Sequence, residues 1–448
     1  LPSVSYALPV WPAGLAFQHA LLLDSRPPDE DDKSDFDLAE FSETSCNQPT
    51  MSADAVQTRT GVDRRGFLRG ALASGALLMA TRSSAFNVAL NPDRHFEPVK
   101  VSRDRIIREV VGLRPYRPEG FKVEAERIGE KLLVHNYGHG GAGITLSWGT
   151  ASLAVDVLSE PGAVATGSSR HNRPARMRAS HFAVLGCGVN GLSTARLLQR
   201  RFQDGPGTVT IYAKDLPPET TSNIAGGFWS PTSVFDPERA TTKFTEQFRT
   251  ACRISNRAFQ NLVGPDYGVR WMETFELYRN EVSLNRELPG GNDLYPAGET
   301  HRDPDHYFGF NFVRQYNTML IEPPVYLNAL LRDFYIAGGK LVVKEFRSRE
   351  ELKRLPQPVI FNCTGLGSRA LFADQQLEPV RGQLEVLLPQ PEIDYCYLSS
   401  GYMFPRRDGI VLGGTFDHGD WSLAPNPEQT TGILEGHAEI MKGLKNAK

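Results

Sequence analysis

The stretch from His181 to Trp229 constrains this chain more than any other. An apolar run, Phe182 to Leu185, passes into Gly186, Gly188 and Gly191 in G-x-G-x-x-G spacing, and Leu192 to Arg201 continues with helical periodicity. Strand, tight turn and helix in that order predict a βαβ unit, completed by a second strand at Val209 to Tyr212. Each glycine has its own use: the first permits the turn, the second lets a pyrophosphate approach bare backbone, and the third lets the helix pack on the strand. The helix start presents N–H groups and the positive end of its dipole to the phosphates, and Val189 and Asn190 ahead of it are taken with the glycines as cofactor-binding residues. A dinucleotide site on an α/β fold is the prediction, and a plain glycine turn is the alternative.

Which dinucleotide is bound depends on the residues after the second strand. Asp215, just past that strand, is placed to hold an adenosine ribose, as in a nicotinamide site. The segment Pro217 to Trp229 then clusters the hydroxyls of Thr220, Thr221 and Ser222 ahead of Gly226 and Gly227. Hydroxyls and bare backbone suit a second pass along a pyrophosphate and the edge of a flavin ring. On composition alone the same segment reads as an ordinary loop.

Five further segments carry a resemblance: FNCTG (Phe361 to Gly365), RGQ (Arg381 to Gln383), LGGTFDHGDW (Leu412 to Trp421), GLRPYRP (Gly112 to Pro118) and VHNYGHGGAGITLSWG (Val134 to Gly149). With the glycine motif they resemble the FAD-dependent D-amino-acid oxidase family, which includes the D-aspartate oxidases. The resemblance implies a Rossmann-like FAD-binding domain interleaved with a mixed α+β substrate domain. It implies oxidative deamination of D-amino acids to 2-oxo acids, ammonia and hydrogen peroxide, with hydride passing from Cα to flavin N5 and oxygen as acceptor. Arg114 matches the family's substrate-carboxylate arginine, and Tyr402 matches a tyrosine whose hydroxyl bonds that carboxylate. Gly141, Gly143, Ile144 and Thr145, with Thr364 and Gly365, match its FAD contacts. Read without the family, Arg114 is a surface arginine and Tyr402 a half-buried strand residue.

The order of these segments departs from the family. There GLRPYRP and HNYGHGG end the chain, whereas here they precede the glycine motif, so the sequence looks circularly permuted. A second active-site tyrosine of the animal oxidases falls on Leu398, with Tyr397 facing the other side of a strand. The lid-like loop before Leu398 looks short. Phe416 stands after GGT where an acidic-substrate branch is expected to carry arginine, which favours neutral or hydrophobic D-amino acids; Arg406 and Arg407 are the cations that could reverse this.

Composition sets the frame for this reading. A chain of 448 residues holds two or three domain-sized units, and a net charge of −3 gives no basic footprint for nucleic acid. Residues 1–50 carry an acidic run at Asp29 to Asp32 and no periodicity, and read as disorder or an upstream extension. Arg64-Arg65 before the apolar run Ala71 to Ala80 and the small residues Ser83 to Ala85 has the layout of a twin-arginine export signal over 51–85. That layout predicts use of the twin-arginine translocase and a periplasmic or secreted bacterial protein; an amphipathic helix with a chance arginine pair is the alternative. The five cysteines are scattered without C-x-x-C, and glycines around His135 and His139 oppose a metal-binding helix, so neither disulfide nor metal is predicted. A homodimer is left open.

These readings predict a domain order. Residues 86–158 carry the substrate arginine and flavin-contact loop, with a hairpin through Gly129-Glu130 and a helix over Leu146 to Leu158. Residues 159–180, rich in Gly, Ser, Pro and Arg, form a linker whose ~20 residues reach about 25 Å. The FAD-binding βαβ segment spans 181–230 and the substrate domain mainly 231–345, with strands at Val269 to Tyr278 and Phe308 to Phe312, a helix over Pro323 to Ile336 that begins after the double proline, and a strand over Leu341 to Phe346 returning to the FAD sheet. Residues 346–380 return to the FAD domain. Substrate-domain strands and a C-terminal helix fill 381–448. Three classes remain at this point: the amino-acid oxidase, a nicotinamide dehydrogenase, and a flavin-binding electron carrier.

Overall fold

The computed structural model describes residues 94–159, 181–202, 208–281, 286–302 and 308–444. The export signal read over 51–85, the extension over 1–50 and the linker from residue 160 onward lie outside them. In chain order the strands are β1 (Ile106–Tyr116), β2 (Lys122–Ile128), β3 (Lys131–Tyr137), β4 (Phe182–Leu185), β5 (Val209–Ala213), β6 (Val269–Tyr278), β7 (Glu299–Arg302) and β8 (Phe312–Ile321). They continue with β9 (Lys340–Val343), β10 (Val359–Asn362), β11 (Glu378–Leu387), β12 (Tyr395–Leu398), β13 (Tyr402–Arg406), β14 (Gly409–Gly413) and β15 (Asp417–His418). The longer helices are α1 (Gly143–Asp156), α2 (Val189–Arg201), α3 (Thr242–Gln260), α4 (Pro323–Ile336) and α5 (Pro427–Lys442).

The sequence of β4, Phe-Ala-Val-Leu, is buried throughout because it lies between two parallel neighbours, β10 and β5, with helices over the sheet. These strands belong to a six-stranded sheet ordered β2-β3-β10-β4-β5-β9, parallel except for the β2–β3 hairpin that turns at Gly129-Glu130. A nine-stranded sheet ordered β1-β11-β14-β13-β12-β6-β8-β7, with β15 beside β11, forms the other layer; only β12–β6 is parallel in it. Together they make an α/β fold of two sheets with helices packed on the first.

Helix packing is set by small residues and caps. Helix α3 starts where the Thr241 hydroxyl accepts the Phe244 N–H at 3.1 Å, and it buries Phe244, Phe248, Cys252 and Phe259 along one face. Helix α1 crosses it at Gly149, where any side chain would strike the Ala251 backbone, and the Gly149 N–H donates to Ser255 Oγ at 2.8 Å. Helix α4 begins with two prolines after Glu322, as its sequence signals.

Residues 94–158 are woven into both layers. β1 pairs with β11 over its whole length, and β3 lies against β10 beside the glycine-motif strand. Phe96 and Val99 share an apolar cluster with Ile433, Leu434 and Ile440 of α5, and the Val99 N–H lies 3.2 Å from Met441 Sδ. The start of the described chain therefore packs against its last helix.

Three expectations are corrected. Helix α1 begins at Gly143 rather than Leu146, because a short turn at Gly140–Ala142 feeds straight into it and Ile144 is already buried. The strand expected at Phe308 to Phe312 is instead Phe312–Ile321. Phe308 sits in a turn at φ 57°, and the alternating burial starts only at Val313. The strand expected over Leu341 to Phe346 ends at Val343, leaving Lys344 to Arg347 free to line the cleft beyond the sheet.

Candidate active site

Parallel strands end with their carbonyl ends in one direction, and ligands bind in the crevice beyond those ends. Here β3, β4, β5 and β10 deliver Tyr137, Gly186, Lys214 and Thr364 to a cleft of about 650 Å³, and β1, β11, β12 and β13 close its far side. Gly186, at φ 101°, turns the chain where a side chain would fall 2.5 Å from the Cys363 carbonyl. Gly188 lines the cleft with bare backbone, and the Val189 N–H donates to Ser222 Oγ at 3.0 Å. The first turn of α1 opens on the same cleft at Gly143, Ile144 and Thr145, so two helix N-termini point into one space.

All but one of the residues anticipated from the sequence line this cleft. They are Gly141, Gly143, Ile144, Thr145, Gly186, Gly188, Val189, Asn190, Asp215, Thr220, Thr221, Ser222, Gly226, Gly227, Thr364 and Gly365, with Arg114 and Tyr402 contributed by the nine-stranded sheet and Asp215 by the end of β5 in the six-stranded one. Gly191 does not reach it. That glycine packs under the turn, where a side chain would strike the Gly186 carbonyl. Several hydroxyls are also spoken for. Thr145 Oγ1 donates to the Ser230 carbonyl at 3.2 Å, Thr220 Oγ1 to Asn223 Oδ1 at 2.7 Å and Thr364 Oγ1 to Asn362 Oδ1 at 2.8 Å, so these residues offer mainly backbone. Ser233 holds the glycine loop: its carbonyl accepts the Gly141 N–H at 2.9 Å from a strained φ of 54°.

Arg114 is half-buried. Its Nη1 donates to the carbonyls of Arg381 and Thr415, each at 3.3 Å, and its guanidinium lies 4.1 Å from the Phe416 ring centroid. Gly382 makes this slot possible, because a side chain there would collide with the guanidinium. Among the described residues no carboxylate pairs with it. A cation shielded by carbonyls and a ring face, with donors to spare, has the chemistry to hold a carboxylate in a fork. Around it the wall is apolar. The rings of Phe228 and Phe404 stack at 4.9 Å and those of Phe404 and Tyr402 at 4.8 Å, with Leu398 and Leu384 beside them.

The two arginines that could have added charge do not. Arg406 is buried and gives its donors to both oxygens of Asp408 and to the Ala225 carbonyl, while Arg407 is exposed and faces Glu322. Neither lines the cleft. Tyr397 is fully buried on the other face of β12, as strand alternation requires, and Leu398 takes the cleft side. The lid-like loop before Leu398 is the short connection Leu388 to Asp394 between β11 and β12.

Other titratable groups in the cleft are quiet. Burial pushes the Cys187 and Cys363 thiols up to about 12, which keeps them protonated and unreactive. His139 is forced down to about 3 by complete burial, its Nε2 placed between Asn136 Oδ1 and Thr150 Oγ1 at 3.1 Å each. Arg117 is buried on Asp374 and the Gly120 carbonyl. Sequence reasoning missed the Phe228–Phe404 wall, Gly382, Ser233 and Lys344 to Arg347. Only Gly382, inside RGQ, carried any signal.

Such a cleft, with two helix starts, a glycine turn and a half-buried arginine free of any carboxylate among the described residues, suits a nucleotide-dependent oxidoreductase. Residues 181–448 match the family model described as FAD dependent oxidoreductase, and the chain belongs to that family. It is 30% identical over 276 residues to a D-amino acid oxidase of Dugesia ryukyuensis, covering 59% of this chain and 79% of that protein. It is 32% identical over 281 residues to the D-aspartate oxidase of Homo sapiens (60% and 79%) and 32% over 275 to a D-amino-acid oxidase of Rubrobacter xylanophilus (59% and 78%). Its cofactor is FAD. The residues present fit that group: bare glycine backbone at Gly186, Gly188 and Gly365, two helix N-termini, and a ribose-side acid at Asp215.

Proposed function

We propose that this chain oxidises D-amino acids with neutral, apolar side chains to 2-oxo acids and ammonia, with oxygen reduced to hydrogen peroxide. The carrying observation is Arg114, a cation without a carboxylate partner among the described residues, set against a wall of Phe228, Phe404, Leu398 and Phe416. Its guanidinium would take the substrate carboxylate in a bidentate fork, with the Tyr402 hydroxyl as a third contact. Two fixed points at the carboxylate leave the Cα substituents little freedom, and the reaction gains from orientation. FAD, when bound, supplies the two-electron acceptor. The apolar wall excludes water and seats the side chain. No His, Asp or Glu is assigned as base: His139 is neutral and engaged, and Asp215 and Glu345 stand with the nucleotide-end residues.

The relatives named for D-amino acids support the substrate class, and the engaged Arg406 argues against an acidic side chain. Anaerobic mixing with a panel of D- and L-amino acids, followed at the flavin absorbance, tests it. Bleaching by neutral D-amino acids is the expected result. Bleaching by D-aspartate or D-glutamate alone would move the chain to the acidic branch, and a yellow protein that no amino acid reduces would refute the function.

We further propose that the segment order is a circular permutation. Its support is the contact of Phe96 and Val99 with the end of α5, where an unpermuted chain would run directly from helix to strand. A gene encoding 181–444 followed by 94–158 should give a folded, yellow protein. A colourless aggregate would count against the idea.

A further inference from the structure

Helix α5 reaches the substrate end of the cleft through one side chain that does not line it. His437 is buried, with Nε2 3.3 Å from the Gly413 carbonyl and Nδ1 2.6 Å from the Tyr397 hydroxyl. A carbonyl can only accept, so Nε2 carries the proton, and Nδ1 is then the acceptor for the Tyr397 O–H. The imidazole is neutral and its tautomer is set at both ends.

What His437 holds lies directly under Tyr402. Gly413 is the cross-strand partner of Tyr402, and the tyrosine ring covers its Cα so closely that any side chain there would collide with the ring. Gly401, the residue before Tyr402, rests on the same two groups: a side chain on it would fall 2.5 Å from the Gly413 carbonyl and 2.9 Å from His437 Nε2. The turn Ser399 to Gly401 is closed by a 2.7 Å bond from the Ser399 N–H to the Gly401 carbonyl. The floor beneath the Tyr402 ring and the turn leading into it thus both bear on one imidazole. Two residues on, Thr415 gives its carbonyl to Arg114.

We infer that His437, oriented by Tyr397, is a positioning residue for substrate-carboxylate recognition, fixing the Gly413 peptide and the Gly401 turn so that Tyr402 stands in register with Arg114. The inference rests on the proposed roles of Arg114 and Tyr402. His437 touches no substrate. Its effect belongs in binding, because a Tyr402 ring free to tilt loses its hydrogen bond to the carboxylate, whereas the cofactor, although the ring adjoins Gly226, is held at many other points of the cleft.

Two substitutions separate the hydrogen bond from mere packing. His437→Gln carries an amide N–H to about where Nε2 stands, whereas His437→Asn leaves an acceptor near Nδ1 and nothing that reaches Gly413. Benzoate, a carboxylate that cannot be oxidised, is titrated against the FAD-loaded full chain by the shift in flavin absorbance, with KM and kcat for the best D-amino acid measured beside it. For His437→Asn the benzoate Kd and the KM are expected to rise about tenfold, the loss of one hydrogen bond at the carboxylate, with flavin content and kcat little changed. For His437→Gln both stay within about twofold of wild type. Tyr397→Phe keeps the packing and removes only the hydroxyl, so it carries the test even where a His437 variant fails to fold; its Kd should rise by about threefold. Wild-type affinity in His437→Asn and Tyr397→Phe, or equal losses in His437→Gln and His437→Asn, would overturn the inference. A yellow wild-type protein that gives no benzoate shift would refute the proposed roles of Arg114 and Tyr402 as well, a result the variants cannot mimic.

Discussion

Arg114→Ala should lower kcat/KM for the best D-amino acid by about a thousandfold while leaving flavin content at the wild-type level. The magnitude follows from two charge-assisted hydrogen bonds lost to a carboxylate, each worth about 1.5–3 kcal/mol, at roughly 1.4 kcal/mol per factor of ten. Flavin should be retained because the glycine turn at Gly186 and Gly188 and the start of α2 follow β4 of the six-stranded sheet, whereas Arg114 lies on β1 of the other sheet and comes up only to the loop before α1, at Gly141. Arg114→Lys separates charge from shape. Lysine restores a cation but not a planar fork, it has no flat guanidinium to lay on Phe416, and an ammonium that holds both carbonyls has one donor left for the substrate, so about a hundredfold loss should remain. Steady-state kinetics with flavin absorbance decides the matter. Turnover unchanged in Arg114→Ala would remove the carboxylate assignment, and loss of flavin would show that the arginine serves the fold.

Stability should fall steeply as pH drops below about 6.5, because buried histidines lowered by burial, His139 and His437 most of all and His135 in the same direction, must stay neutral in the folded chain. Burial holds His139 at about 3 and His437 at about 4, both below the ordinary value of 6.5. A histidine whose folded pKa is depressed binds protons more readily when unfolded. Its contribution is therefore complete above the unfolded value and is lost as pH falls toward the folded one. Between pH 7 and pH 5 the two together remove roughly 4 kcal/mol. Glu273 and Glu385 act in the opposite sense, because burial raises them and their protonation favours the folded state, offsetting part of the loss. Urea unfolding of the flavin-loaded protein at several pH values should show this decline, and His139→Gln should flatten it. An identical slope in that variant would exclude His139 as a cause.

Much of the fold was legible because its signals are local. The run Phe182–Leu185, the glycines after it, the double proline that starts α4 and the Gly129 turn each act within a few residues, through backbone geometry or periodicity, and the structure has them where the sequence places them. The cleft's nucleotide end was legible for the same reason: glycine turns and helix starts are consecutive features. Boundaries slipped where a turn flows into a helix, at Gly143, or where an isolated aromatic imitates a strand, at Phe308.

The substrate end could not be read in this way. That Arg406 is spent on Asp408, that Phe416 covers Arg114, and that Phe228 and Phe404 stack although far apart in the chain are consequences of sheet register and packing. Residues 94–158 likewise announce their motifs but not their destination. Only the pairing of β1 with β11 and of β3 with β10 puts Arg114 opposite Tyr402 and the second helix start beside the first. By itself the sequence determined the dinucleotide turn, the elements and the residue types of a carboxylate receptor, because these depend on neighbours along the chain. Which charges stay free and which faces meet was decided by the tertiary structure, because hydrogen-bond partners and burial are settled only when distant segments compete for the same space.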